Sequence, residues 1–190
     1  LTAQEAKEAK SFLKEKNLLD KTNYLIGESG VVGEEKNRLL MFLIFLSRKM
    51  KKPLHVVSFG SSGTGKSHLQ EKIGELVPEE DRIEITQFSD NALYYFGKTE
   101  LKNKVIIIED LDGAESALYP LRELQSKGRL MKTIVVKTSN GETKTMHVQV
   151  EGPVTISGCT TKERIYEDNA NRSFLLYLDE SEAQDDRVMN

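Results

Sequence analysis

The chain has 190 residues, 38% of them hydrophobic, and its Lys+Arg 27 against Asp+Glu 30 leave a net charge of -3. That length suits one domain with a proper core, and the near-balanced charge excludes a strongly basic protein that holds nucleic acid by bulk charge. One Cys excludes a disulfide framework and a Cys-based zinc site within these residues, and the longest apolar run, Leu39 to Leu46, is too short to span a bilayer. No signal peptide is visible, so a cytoplasmic location and no membrane partner are expected.

Residues 3 to 17, rich in Ala, Glu and Lys, read as an exposed helix, and Leu18 to Gly33 as a loop broken by Gly27, Gly30 and Gly33. Glu34 to Met50 reads as a helix ending in the basic run Arg48, Lys49, Lys51, Lys52, as the helix dipole favours. Leu54 to Phe59 is a short β-rich run that breaks at Gly60, and from Ser67 the spacing of Leu69, Ile73 and Leu76 is helical. Arg82 to Thr86 reads as a second strand, and Ser89 or Asp90 as the cap of a helix reaching Tyr94 to Phe96. Lys104 to Glu109 is a continuous apolar strand of the kind buried on both faces of a parallel sheet. Pro120 suits the first turn of a helix carrying Leu121 and Leu124. Val154 to Gly158 and Phe174 to Leu178 complete five strands interleaved with helices, which predicts an α/β layered fold with a mostly parallel sheet. Residues 132 to 151 break the alternation. Two β-rich runs flank Asn140-Gly141, the signature of a type I′ turn, so a hairpin is expected there with Lys137 opposite Lys144.

Gly60-Ser61-Ser62-Gly63-Thr64-Gly65-Lys66-Ser67 satisfies G-x-x-x-x-G-K-[ST] between a strand and a helix. The glycines let the backbone curl round phosphate and aim its N–H groups inward, through His68, at the positive end of the helix. Lys66 is expected to bridge the β- and γ-phosphates and Ser67 to ligate Mg²⁺, which makes this a nucleotide phosphate site, with ATP the nucleotide that the resemblance given below implies. A second signal is the apolar strand ending in Glu109 and Asp110, followed by Asp112. Acids at such a strand end hold Mg²⁺ and orient the attacking water. Glu109 is assigned to the metal and Asp110 to the metal side and water activation, with Asp112 a competitor for either role. Cys159 reads as a small buried residue at a strand end, and the imidazoles of His55, His68 and His147 fit no ligand or base pattern.

These motifs, with the strand ending Gly158-Cys159-Thr160-Thr161 and the following Asn171-Arg172, resemble an AAA+ ATPase core in order and spacing. The resemblance implies a polar γ-phosphate sensor on the strand between the P-loop and acidic strands. Thr161 matches it best, Thr160 next, with an ordinary helix cap as the plain alternative. It also implies an arginine that completes a neighbour's site: Arg172 matches, with Arg164 a rival and a surface pair to Glu167 or Asp168 the alternative. Gly30-Val31-Val32-Gly33, ahead of a helix, resembles the AAA+ segment that packs on adenine, with a loop and glycine helix entry as the plain alternative.

A hairpin ahead of the sensor strand resembles the helicase branches of AAA+, including minichromosome-maintenance and superfamily 3 viral helicases, where it projects into a central pore. Like charges across a hairpin are destabilising unless an anion sits between them, so Lys137 and Lys144 are expected to contact DNA phosphate, with a surface hairpin whose lysines aid solubility as the plain alternative. From about Gly30 to Asp179 the chain looks like the ATPase region of mobile-element and plasmid DNA primase-helicase proteins, on Phe59 to Glu71, Ile108 to Gly113, Tyr119 to Gln125 and Tyr166 to Arg172.

The expected division is a helix and linker over 1–29, an ATPase core over 30–180 with the hairpin inserted, and the start of a lid or tail over 181–190. Leu1 in place of Met and the stop at Asn190 suggest a core cut from a larger replication protein that forms a homo-oligomeric ring, with little hydrolysis from an isolated monomer. A nucleotide-switched loader with slow hydrolysis shares nearly every motif. A small-molecule kinase would need a basic acceptor lid, and a protein-remodelling machine an aromatic pore loop.

Overall fold

Four consecutive β-branched residues, Val105 to Ile108, have no polar face to turn toward water, so they require a strand covered on both sides. The computed structural model describes residues 2–89, 91–137, 140–163 and 170–189 and provides that cover. The chain runs through α1 (Ala3–Phe12), α2 (Leu18–Glu28), α3 (Glu35–Leu46), β1 (Val56–Phe59), α4 (Lys66–Gly74) and β2 (Arg82–Ile85). It continues through β3 (Lys104–Ile108), α5 (Glu115–Lys127), β4 (Arg129–Lys137), β5 (Thr143–Glu151), β6 (Val154–Thr160), β7 (Phe174–Tyr177) and α6 (Glu182–Met189).

β1, β2, β3, β6 and β7 form one parallel sheet in the order β2-β3-β6-β1-β7, and β4 and β5 form a separate antiparallel hairpin. The α/β class and the five interleaved strands are as expected. Side-chain alternation along β3 splits the core in two. Val105 and Ile107 join Ile26, Phe45, Leu69 and Ile73 on the face covered by α2, α3 and α4. Ile106 and Ile108 join Leu93, Leu121, Leu124 and Leu130 on the opposite face. Helix α4 lies close on the sheet because Gly74 has no side chain: a Cβ there would stand 2.8 Å from Ile107 Cδ1.

Several local expectations are corrected. Residues 18 to 33 are not a loop throughout, since α2 occupies Leu18–Glu28 with Thr22 and Ile26 buried one turn apart. The glycines fall only at its end, and Gly27 makes room for the Arg38 guanidinium, whose Nη1 would lie 2.6 Å from an added Cβ. Helix α3 stops at Leu46, where a 3₁₀ turn over Ser47–Lys49 directs Arg48 and Lys49 onto Asp81 at 3.1 and 2.6 Å. Among the described residues between β2 and β3 the expected helix is a 3₁₀ turn, Ala92–Tyr95, and its proposed cap Asp90 lies outside them. Pro120 sits inside α5 rather than in its first turn, where it removes only the bond to the Ser116 carbonyl.

The hairpin begins at Arg129, and its base is tied into the core by Leu130 and Val150. Its register differs from the expected one: Lys137 pairs with Thr143 and Lys144 with Val136. The described pairing ends at Lys137 opposite Thr143, whereas a two-residue turn at Asn140-Gly141 would set Lys137 opposite Lys144. A one-residue shift turns side chains to the other face, so Lys137 and Lys144 lie on opposite faces and no like-charge pair exists.

Candidate nucleotide site

β1 emerges between β6 and β7, and the chain curls from Gly60 into the loop that opens α4. Gly63 and Gly65 adopt φ of +88° and +86° with nothing within 4 Å of a would-be Cβ, so backbone conformation and not crowding demands glycine. The buried Lys66 donates from Nζ to the carbonyls of Gly60 at 2.7 Å and Ser61 at 2.5 Å. Thr64 Oγ1 donates to the Ser61 carbonyl at 3.0 Å. The first intrahelical bond of α4 runs from Leu69 N to Gly65 O, so the N–H groups of Lys66, Ser67 and His68 have no acceptor within the helix. They form an anion cradle at the positive end of the helix dipole.

Beside this loop lies a cleft of ≈ 590 Å³. Gly63, Thr64, Gly65 and His68 form one wall, Val31 and Val32 the second, and Glu180, Gln184 and Val188 the third. His68 Nε2 lies 3.2 Å from the Gly30 carbonyl, which joins the first two walls. The third wall is absent from the sequence reading. Glu180 accepts from Ser61 N at 2.5 Å and from Ser61 Oγ at 3.1 Å, across 119 residues. Gln184, buried on α6, donates to the Val32 carbonyl at 2.8 Å, and Glu34 accepts from Asp179 N at 2.7 Å. Nothing in the spacing of Glu180 and Gln184 signals this role, because it is created by β7 returning beside β1.

Glu109 shares a small cavity of ≈ 140 Å³ with Ser67, Gln70 and Glu84. Among the described residues no group of three His, Cys, Asp or Glu could hold a metal ion. A hydroxyl and one carboxylate fit Mg²⁺, which keeps several waters and takes its remaining ligands from phosphate rather than from a protein cage. Asp110 is exposed on the turn, and its Oδ1 accepts from Asp112 N at 2.7 Å.

Asp112 is engaged at both oxygens. Oδ1 accepts from Thr160 Oγ1 at 2.6 Å, and Oδ2 accepts from Thr161 N and Thr161 Oγ1, each at 3.0 Å. Partial burial pushes this carboxyl up, but the bonds from Thr160 and Thr161, with Lys162 nearby, outweigh it and hold it below the usual carboxylate range. A carboxylate so occupied is a poor candidate for the water-activating base.

Cys159 lies buried near Ser67 and Lys66, and burial pushes its thiol up to about 12, which leaves it protonated and inert. Arg172 stands apart from the cleft. It precedes β7, whose first residue Phe174 pairs with Val56 at the start of β1, and its Nε donates to Ser126 Oγ at 2.6 Å. It therefore sits at the N-terminal edge of the sheet, whereas the P-loop leaves the C-terminal edge. Lys137 and Lys144 are exposed at the distal end of the hairpin. Arg164, Glu167 and Asp168 lie outside the described residues.

Compared with known families, the chain matches the one described as the MTBMA_p00010 P-loop domain over residues 3–190. No curated protein matches it. No described helix is long and apolar enough to cross a membrane.

Proposed function

Since the chain belongs to that P-loop domain family, its phosphate loop is a nucleotide site, and from this premise we propose an ATP-hydrolysing AAA+ motor domain of a mobile-element replication protein, a DNA helicase attached to a primase. The observation that carries the reading is the strand order β2-β3-β6-β1-β7. It sets β6, with Thr160 and Thr161 at its end, between the P-loop strand and the strand ending in Glu109. A polar side chain there lies between the phosphate cradle and the hydrolytic acids.

In this reading Lys66 and the N–H groups of the loop hold the β- and γ-phosphates, while Val31 and Val32 pack on the adenine. Ser67 and Glu109 would hold Mg²⁺, which when bound would supply charge neutralisation at the phosphate oxygens. Asp110 orients the attacking water with the oxygen not taken by Asp112 N. Arg172, at the far edge of the sheet from its own P-loop, acts on a neighbouring subunit's nucleotide, so hydrolysis depends on a homo-oligomeric ring. The hairpin, inserted directly before β6, contacts DNA phosphate in the pore.

The test is ATPase activity of the full-length protein with and without DNA, with sedimentation of the same samples. DNA-stimulated turnover in a sedimenting ring, lost in Arg172→Ala, supports the proposal. Brisk turnover in a dilute monomer, unchanged by DNA, overturns the motor reading.

A further inference from the structure

The Asp112 carboxylate collects three donors from the end of β6, the hydroxyls of Thr160 and Thr161 and the Thr161 N–H. A threonine hydroxyl has one proton. With that proton on Asp112, the Thr161 oxygen has only lone pairs to offer a phosphate oxygen, and two acceptors repel. Thr160 is further committed, since its Oγ1 also accepts from Lys162 N at 3.1 Å.

The backbone that carries Asp112 is held against the end of β6. Leu111 N donates to the Cys159 carbonyl at 2.9 Å, and the Leu111 side chain lies on Gly158, where an added Cβ would stand 2.6 Å from it. Asp112 N is held by Asp110 at 2.7 Å. Thr161 is exposed, and its hydroxyl can turn about one bond while its N–H stays on Asp112.

We propose that Asp112 is a positioning residue that sets how strongly the site prefers a nucleoside triphosphate over a diphosphate, by competing with the terminal phosphate for the Thr161 hydroxyl proton. The triphosphate draws that proton away from Asp112 and the diphosphate leaves it in place. The inference rests on the nucleotide reading above. It differs from a base role for Asp112, because its effect appears in binding before any turnover, and from a metal role, because removing the carboxylate raises triphosphate affinity instead of lowering it.

The experiment is calorimetric titration of the protein with Mg-ADP and with the non-hydrolysable triphosphate Mg-AMP-PNP, for wild type, Asp112→Asn, Thr161→Val and the double variant. Removing the competing carboxylate releases one charge-assisted hydrogen bond, so Asp112→Asn is expected to raise the triphosphate/diphosphate affinity ratio about tenfold. In the Thr161→Val background the same substitution is expected to leave the ratio unchanged. ADP affinity monitors the fold of each variant, and Asp112→Ser, which keeps a small acceptor with less charge, serves if Asp112→Asn loses it. A ratio unmoved by Asp112→Asn or Asp112→Ser with ADP affinity intact, or a rise that persists with Thr161→Val, overturns the proposal. Failure of wild type to bind either nucleotide instead overturns the nucleotide reading itself.

Discussion

Gln70, one turn beyond the P-loop on α4, accepts the Ser157 hydroxyl proton at 2.6 Å. The same side chain donates from Nε2 to the Ile108 carbonyl at 3.1 Å, and both Gln70 and Ser157 are fully buried. One amide thus fastens the phosphate-binding helix to the acidic strand and to the strand between them, which fixes Ser67 relative to Glu109.

Truncating that amide orphans buried polar partners. Gln70→Ala is expected to cost about 1–3 kcal/mol, read as a lower urea midpoint. Adding Ser157→Ala to Gln70→Met removes both ends of the bond in near-conserved volume and is expected to recover part of the loss. Additive destabilisation in that double variant would contradict a coupled pair.

His55 is buried, and desolvation lowers its imidazole to about 4, while Nδ1 accepts from Ile156 N at 3.2 Å. The folded pKa lies below the unfolded value of 6.5, so acid favours the unfolded chain. The stabilisation is complete above pH 6.5 and is lost as pH falls toward 4, with a total on the order of 3 kcal/mol. His55→Asn keeps an acceptor and cannot titrate, so its stability is expected to stay flatter across that window, measured by denaturation at successive pH values.

The two acids at the end of β3 differ in surroundings. Glu109 shares a cavity with Ser67, whereas Asp110 is tied to the turn. Glu109→Gln is expected to weaken metal binding, so that raised Mg²⁺ restores part of the lost turnover. Asp110→Asn is expected to bind nucleotide normally and lose turnover by about 100-fold or more without metal rescue. Identical Mg²⁺ responses in the two variants would refute the division of roles.

Because Lys137 and Lys144 lie on opposite faces of the hairpin, they cannot serve one phosphate together. Lys137→Ala and Lys144→Ala are expected to differ in their effect on DNA affinity, and the variant that matters lowers the salt slope by about 1. Fluorescence anisotropy over a salt series measures this. Equal losses in both would point back to a paired arrangement.

Gly33 holds φ +66°, and a Cβ there would collide with the Gln184 amide, which carries the third wall of the cleft. Gly33→Ala is expected to break the Gln184 bond to Val32 and speed hydrogen exchange in α6. Unchanged exchange there would mean that α6 is held by other contacts.

What could be read in the sequence was whatever local spacing encodes. A P-loop is eight consecutive residues, Val105 to Ile108 is an unbroken β-branched run, and short β-rich runs and helical spacing separate five strands from the helices between them. Local rules failed where a distant residue decides the outcome. Three glycines between 27 and 33 suggested a loop, but Ile26 found Met41, Ile44 and Phe45 of α3 to bury with, and α2 formed. Asn140-Gly141 suggested a two-residue turn, but the pairing of Leu130 and Val150 in the core set the register from the other end. The engagement of Asp112 by Thr160 and Thr161, the grip of Glu180 on Ser61 and the bridge from Gln70 to Ser157 join residues 48 to 119 positions apart. Each depends on which strands become neighbours, and a parallel sheet acquires that order only when its crossovers pack. The chemistry of the phosphate loop was therefore written locally, while the partners of its acids and threonines were decided by the tertiary fold.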